Sequence, residues 1–456
     1  MAARSSGNWL RMAASALAFW CSGQGSLLAQ TTKDGNAGLK AANAKLTTPT
    51  GVPLRAREFL DSIGMNVKFK DVASQYGNAD KVIERLQYLG VRLVREGFPA
   101  RELRPQQIVA YRAFARIGGR FTFVTHNEKA VSEIVADISA FEREFPGSVK
   151  AVEGPNELNH WPITYQGQKG RAAAKNYMSD LYATVKADRR LAAASVLVYG
   201  ATDWPSIATR ADIANIHSYE RNAFGSYERL RLDRDEQLKA YATDPVLPPG
   251  HTPAWVVTET GYHTWLGSGW FEGVDPTVQA KLGLLLFFNV AKLGGRETQW
   301  YQLLDAWGAP RNGEQAFGVF DHTGKPKPLA FAVHNLTSIL QDEGNNAQSF
   351  ATTPLTYRLA GNLGQAPHNG VYDLALQKSD GSHWLAVWRE GQIWNVESDR
   401  ALALQAKTTT VQLSGAPARV EIYDPIMGTA PRQTLNGAQQ VDLALADQLL
   451  ILKIER

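Results

Sequence analysis

The chain has one cysteine, Cys21, among 456 residues. If the N-terminal segment is cut after Ala29, no cysteine remains. Disulfides, thiol catalysis and cysteine-based metal sites are then excluded. No apolar run approaches the roughly 20 residues that a membrane span requires. The longest, 282–290, is short and contains Asn289, so it reads as the buried face of a helix. Lysines and arginines form no extended run, and the formal charge of +4 is small for this length. That pattern gives no footprint for nucleic acid. The patterns HExxH, GxSxG and CxxC are missing. The stretch 318–325 ends in Gly324-Lys325, but Pro326 follows, so it is no phosphate loop. The nine histidines are scattered without metal-ligand spacing. Neither a metal nor an organic cofactor is expected, and nothing in the pattern bears on oligomeric state.

What is present begins with an export pattern. Arg4 and Arg11 precede the short apolar stretch 12–20, and Ala29 offers a small residue at the cut. Residues 1–29 are therefore expected to be a signal peptide, with a periplasmic or secreted destination. Nine apolar residues are too few for an anchor helix, and the bulky Phe19-Trp20 before Cys21 speaks against lipid attachment. Residues 30–57 are small and polar and read as a linker or N-terminal arm.

From 58 to 345, short β-type runs alternate with amphipathic helical stretches. Strands are expected at 64–68, 91–95, 120–125, 149–152, 195–198, 213–216, 255–258 and 298–302. Helices are expected among others at 79–89, 105–116, 129–145, 171–191 and 276–293. Eight such units over roughly 290 residues have the size and rhythm of a (β/α)₈ barrel. An open doubly wound sheet is less suitable, because no Gly-rich loop follows an early strand. After about residue 350 the pattern changes to apolar–polar alternation broken by Gly, Pro, Asn and Asp. Residues 350–456 are therefore expected to form an antiparallel β-sandwich.

Two glutamates stand out. Glu157 lies in Gly154-Pro155-Asn156-Glu157 and Glu259 in Val257-Thr258-Glu259-Thr260-Gly261, each at the end of a buried-strand pattern. Paired carboxylates at strand mouths suit retaining glycoside hydrolysis. One acid protonates the leaving oxygen, and a carboxylate about 5–5.5 Å away attacks the anomeric carbon. Barrel sites gather at the C-terminal ends of strands, and the other strand ends are also polar or aromatic. Asn156 could donate to a sugar 2-hydroxyl, or simply make a turn. Tyr219 could orient a carboxylate, or pack at a core edge. Arg95 could hold Glu259 ionised, or pair with Glu96 or another acid. His126 and His217 are open between substrate contact and support. Trp161, Trp204, Trp265, Trp270, Trp300 and Trp307 fall on or beside the expected mouth loops. Indole faces suit sugar rings, so Trp265 and Trp300 join the substrate-binding candidates.

Asn156-Glu157 after the fourth strand and Glu259 after the seventh resemble the retaining (β/α)₈ glycoside hydrolases of clan A. The frames Gly154-Pro155-Asn156-Glu157, Thr258-Glu259-Thr260-Gly261 and Gly324-Lys325-Pro326-Lys327-Pro328 are most similar to glycoside hydrolase family 39 and its relatives. The resemblance spans residues 58–456. It implies Glu157 as acid/base, Glu259 as nucleophile, and a β-linked poly- or oligosaccharide substrate. The alternative is a carbohydrate-binding barrel without turnover, which the presence of both carboxylates opposes.

Overall fold

The computed structural model describes residues 52–98, 105–200, 210–220, 225–242, 253–266, 273–366 and 368–456. The expected signal peptide, most of the arm, Trp204 and Trp270 lie outside the described residues.

Eight parallel strands close into a barrel. In chain order they are β1 (Ile63–Asn66), β2 (Leu93–Gly97), β3 (Arg120–Val124), β4 (Val149–Glu153), β5 (Ser195–Leu197), β6 (Ile213–His217), β7 (Ala254–Thr260) and β8 (Thr298–Trp300). Closure comes from β8 against β1, with Thr298 opposite Ile63. Each matches an expected strand within a few residues. Strands buried on both faces read as short continuous apolar runs, which is why they were legible.

The surrounding helices are α1 (Ala79–Leu89), α2 (Pro105–Arg116), α3 (Val131–Glu144), α4 (Gly170–Ala187), α5 (Tyr227–Ala242), α6 (Pro276–Lys292) and α7 (Pro328–Leu340). Their starts follow local chemistry. Asn78 accepts from the Lys81 amide to cap α1, and Asp275 accepts from the Thr277 and Val278 amides to cap α6. Proline opens α6 and α7, where its missing N–H costs nothing. α6 is apolar nearly all round because it is covered on two sides, by the barrel and by the sandwich. Its Phe288 meets Phe59 at 4.6 Å and Trp388 at 5.7 Å between ring centres.

The C-terminal region is two antiparallel layers. One holds β10 (Val371–Gln377), β11 (His383–Arg389), β16 (Leu449–Glu455), β13 (Ala418–Tyr423) and β14 (Gln433–Ala438) in that spatial order. The other holds β9 (Tyr357–Gly361), β12 (Lys407–Leu413) and β15 (Gln440–Leu445). Leu385, Val387, Val420 and Leu452 of the larger sheet meet Val411, Val441 and Leu443 of the smaller one in a separate core. The opposite face of β11 presents Trp384, Ala386 and Trp388 to the barrel's core. Strand β11 is thus buried on both faces, and the described residues of barrel and sandwich form one compact unit. A two-residue strand, Leu54–Arg55, pairs in parallel with β10 (Leu54 opposite Leu376). It lies within the stretch read as an arm, where two residues are too few to carry a periodic signal.

Candidate active site

Strand alternation decides which side chains enter the barrel. On β2, Arg95 turns inward. Its neighbour Glu96 turns away and accepts from the Phe69 and Gly97 amides. Arg95 therefore does not pair with Glu96. Its guanidinium grips Glu153, at the end of β4, with Nε and Nη2 each 2.8 Å from a carboxylate oxygen. It also donates to Asn66 at 3.0 Å, to Asn156 at 2.7 Å, and to Glu259. Both readings of Arg95 hold together: it is a buried structural ion pair and the cation beside Glu259.

Glu259 would face the helices if β7 alternated regularly. A bulge between Val257 and Glu259 shifts the register and sets Glu259 opposite His217 of β6. Tyr219 then donates to Glu259 Oε2 at 3.2 Å. Thr258 stays inside, linking Asn215 at 2.9 Å and His217 Nε2 at 3.2 Å.

Glu157 sits in the turn after β4 with φ of +43°, in the left-handed region that non-glycine residues seldom adopt. Its amide donates to Gly200 O at 3.1 Å, and its carbonyl accepts from the His160 and Trp161 amides. The turn is held from both sides while the side chain is aimed inward. Strain of this kind gathers at functional sites. The preceding Gly154 is required by space: a Cβ there would lie 2.4 Å from Met178 Sδ.

His217 joins the two carboxylates. Its Nδ1 is 2.9 Å from Glu157 Oε1 and 3.5 Å from Glu259 Oε2. One oxygen of Glu157 and one of Glu259 lie within 4.8 Å of each other. The two carboxylates differ in setting. Burial pushes the Glu259 carboxyl up, but the charges of His217 and Arg95 outweigh it and hold the group below its ordinary value. Burial opposes the His217 cation, yet the Glu259 charge and the bond to Glu157 raise the imidazole above its ordinary value. His217 is therefore favoured as the cation of this group, and Glu259 as its anion.

Glu157, His217 and Glu259 also offer three atoms close enough to surround a metal ion. Their existing partners fit such an ion poorly. Nδ1 is taken by Glu157, and the Arg95 guanidinium on Glu259 would repel a divalent cation.

Of the residues singled out in the sequence, Arg95, Asn156, Glu157, His217, Tyr219 and Glu259 form one hydrogen-bonded group. Asn156 accepts from Arg95 through Oδ1, which leaves its Nδ2 to donate. The side chains of His126, Trp265 and Trp300 stand outside that group. His126 Nδ1 accepts from the Glu128 amide at 3.2 Å. Trp265 lies half-buried on the segment after β7, its amide donating to His263 Nδ1. Trp300 is fully buried and donates its indole N–H to Phe317 O at 3.0 Å, so it offers no open face to a sugar. Among the described residues, Trp161 and Trp307 are the exposed indoles, at 45% and 41%. Trp307 is fixed by a 2.6 Å bond to Asp71 and by the Lys68 ammonium 4.1 Å over its ring.

Sequence reasoning missed Asn66, Glu153, Thr258, Lys68 and Tyr301. Lys68 donates to the Tyr301 hydroxyl at 2.9 Å, and Tyr301 donates to Glu314. Glu153 did carry a signal, since a charge at the end of an apolar strand pattern must find a partner.

No family model matches this chain, and no curated protein does. Solved structures match its fold. A family 39 glycoside hydrolase from Bacteroides cellulosilyticus WH2 aligns with TM-score 0.59 and 15% identity, over 88% of this chain and 82% of that one. A monomeric β-xylosidase from Caulobacter crescentus CB15 gives 0.58 and 14%, over 89% and 97%. A GH39 enzyme from Xanthomonas axonopodis pv. citri gives 0.57 and 12%, over 89% and 95%. At such identities the likeness is one of fold: a (β/α)₈ barrel followed by a β-sandwich.

Proposed function

We propose that this chain is an exported retaining glycoside hydrolase of the family 39 type, cleaving a β-glycosidic bond in a poly- or oligosaccharide. The observation that carries the reading is the approach of Glu157 and Glu259, with oxygens within 4.8 Å, at the mouths of β4 and β7. Inverting enzymes need a gap of about 6.5–9.5 Å for a water, whereas double displacement uses about 5–5.5 Å between carboxyl groups. The solved neighbours, a β-xylosidase among them, support the same reading. Export rests on the N-terminal pattern.

In this mechanism Glu259, ionised beside Arg95 and Tyr219, attacks the anomeric carbon. Glu157, supplied through His217, protonates the departing oxygen. Once glycosylated, Glu259 loses its charge, which removes a support for the His217 cation and lets Glu157 take the proton of an incoming water. Asn156 Nδ2 is placed to donate to the sugar 2-hydroxyl, a bond that tightens in the transition state.

The test is stereochemical. Proton NMR during hydrolysis of an aryl β-glycoside, scanned across neutral sugars, should show the β-hemiacetal released first. First release of the α-anomer would rule out double displacement, and no turnover on any glycoside would remove the hydrolase reading. A second expectation concerns Tyr219→Phe. It deletes a bond to an ionised carboxylate, worth about 1.5–3 kcal/mol. Glu259 should then protonate at higher pH. The acid limb of kcat/KM should move upward, with a rate loss of about tenfold or more at the optimum. An unchanged acid limb would mean that Tyr219 only packs there.

A further inference from the structure

We propose that the sandwich takes part in the reaction: Glu390 is a positioning residue that, through Asn289, Ser226 and Tyr262, fixes the end of the strand carrying Glu259. The inference rests on the reading of Glu259 as nucleophile.

Glu390 follows β11 and is 1% exposed, at the junction of sandwich and barrel. Its Oε1 accepts from Asn289 Nδ2, on α6, at 2.7 Å. The same Nδ2 donates to Ser226 Oγ at 3.0 Å, and Trp388 Nε1 donates to Asn289 Oδ1 at 2.9 Å. The Tyr262 hydroxyl bonds the Ser226 side chain. Tyr262 stands three residues beyond Glu259, and its carbonyl accepts from Gln279 at 2.7 Å. An unbroken line of buried polar contacts therefore runs from the sandwich to the exit of β7.

The other carboxyl oxygen points at the loop that leads from β6 into α5. A Cβ on Gly225 would lie 1.4 Å from Glu390 Oε2, so the acid fills the space that only glycine leaves open. Oε2 has no side-chain hydrogen-bond partner, and the Tyr227 amide is the backbone donor that favours the carboxylate. The ionisable groups facing Glu390 are Glu220, Tyr227, Tyr262 and Tyr372, none of them cationic. Among the described residues, no Lys, Arg or His lies within 4.0 Å of it. Lys292 of α6 is engaged with Asp373 at 2.9 Å. A junction built for packing alone has no use for a buried carboxyl without a counter-charge, because burying one is costly.

Burial pushes the Glu390 carboxyl up to about 7, against the Asn289 and Tyr227 amides, which favour the charge. Below that pH the group is neutral. Above it, a buried charge without a counter-charge stands at the junction, and openings that let water reach it are favoured.

The experiment uses the full chain and two readouts: hydrogen exchange of segment 254–266, and kcat and KM on an aryl β-glycoside. Glu390→Ala should speed exchange in that segment about tenfold or more. It should lower kcat about tenfold with KM within about threefold. Glu390→Gln keeps an acceptor for Asn289 and should restore both, and Gly225→Ala should reproduce Glu390→Ala. Between about pH 6 and about pH 8.5, exchange corrected for its intrinsic rate should rise in the wild type and stay flat in Glu390→Gln. Wild-type exchange and kcat in Glu390→Ala, with only a lower melting temperature, would overturn the proposal. If Glu390→Ala does not fold, a pH response in Glu390→Gln equal to that of the wild type overturns it instead. If the wild type cleaves no glycoside, the hydrolase reading falls, and the exchange data alone decide whether Glu390 holds β7.

Discussion

Glu259→Ala should lose turnover by a factor on the order of 10⁴ or more, as expected when a nucleophile is removed from a unit that acts together. Azide should restore part of it. The truncated side chain leaves room beside the anomeric carbon, on the face that Arg95 and Tyr219 flank. Azide entering there displaces the aglycone in one step and gives the α-azide from a β-glycoside. Glu157→Ala should behave differently. With a good leaving group, glycosylation of Glu259 needs little acid help, so the covalent intermediate forms and then waits for a base. Its rate on a poor leaving group should fall by about 10²–10⁴. Azide, which needs no deprotonation, should capture that intermediate and give the β-azide. NMR resolves the two products. Swapped configurations would exchange the two assignments, and near-wild-type turnover in either variant would remove that residue from the mechanism.

The features that made the candidate site legible are those tied to local sequence. Asn156-Glu157 and Glu259 were found because each ends a strand whose apolar run is distinctive. His217 and Tyr219 were found because they stand at the end of the sixth such run. The barrel strands were legible for the same reason, since burial on both faces removes polar residues over a short span. Elements with weaker local signals were lost. β14 (Gln433–Ala438) is largely exposed, and its alternation is masked by polar residues on both faces. The turn between β15 and β16 has only three residues, Ala446 to Gln448, too short to break the alternation that runs through both strands.

The surroundings of the two carboxylates were less legible, because they depend on register. Nothing in Thr258-Glu259 announces a bulge, yet the bulge turns Glu259 toward His217. Nothing in Arg95-Glu96 says which side chain points inward, and the alternation of β2 settles that Arg95 meets Glu153 rather than its neighbour. Trp300 shows the limit of composition. An aromatic at a strand mouth suggests a platform, but the carbonyl of Phe317 takes its indole N–H and closes it off.

Arg95→Met should be the most destabilising single change in the barrel. The guanidinium makes five hydrogen bonds, to Glu153, Asn66, Asn156 and Glu259. Glu153 is fully buried, so losing Arg95 strands a carboxylate whose remaining charged neighbour is His217, 4.0 Å away. Breaking a buried pair from one side costs about 3–5 kcal/mol. Lysine should not rescue it, because a point charge cannot reproduce a planar fork that holds two carboxylates and two amides. The sign of the pH dependence follows from Glu259. Its folded pKa is held down partly by Arg95, so this contribution to stability is present above the ordinary carboxylate value and fades as pH falls. The deficit of Arg95→Met should therefore be largest near about pH 7 and shrink toward about pH 4, where Glu259 takes up its proton. Adding Glu153→Gln should recover much of the stability but not the activity, since Glu259 still lacks its cation. Urea melts of the single and double variants at both pH values test this. A single variant within about 1 kcal/mol of wild type at neutral pH would show that solvent or a rearranged neighbour compensates Glu153.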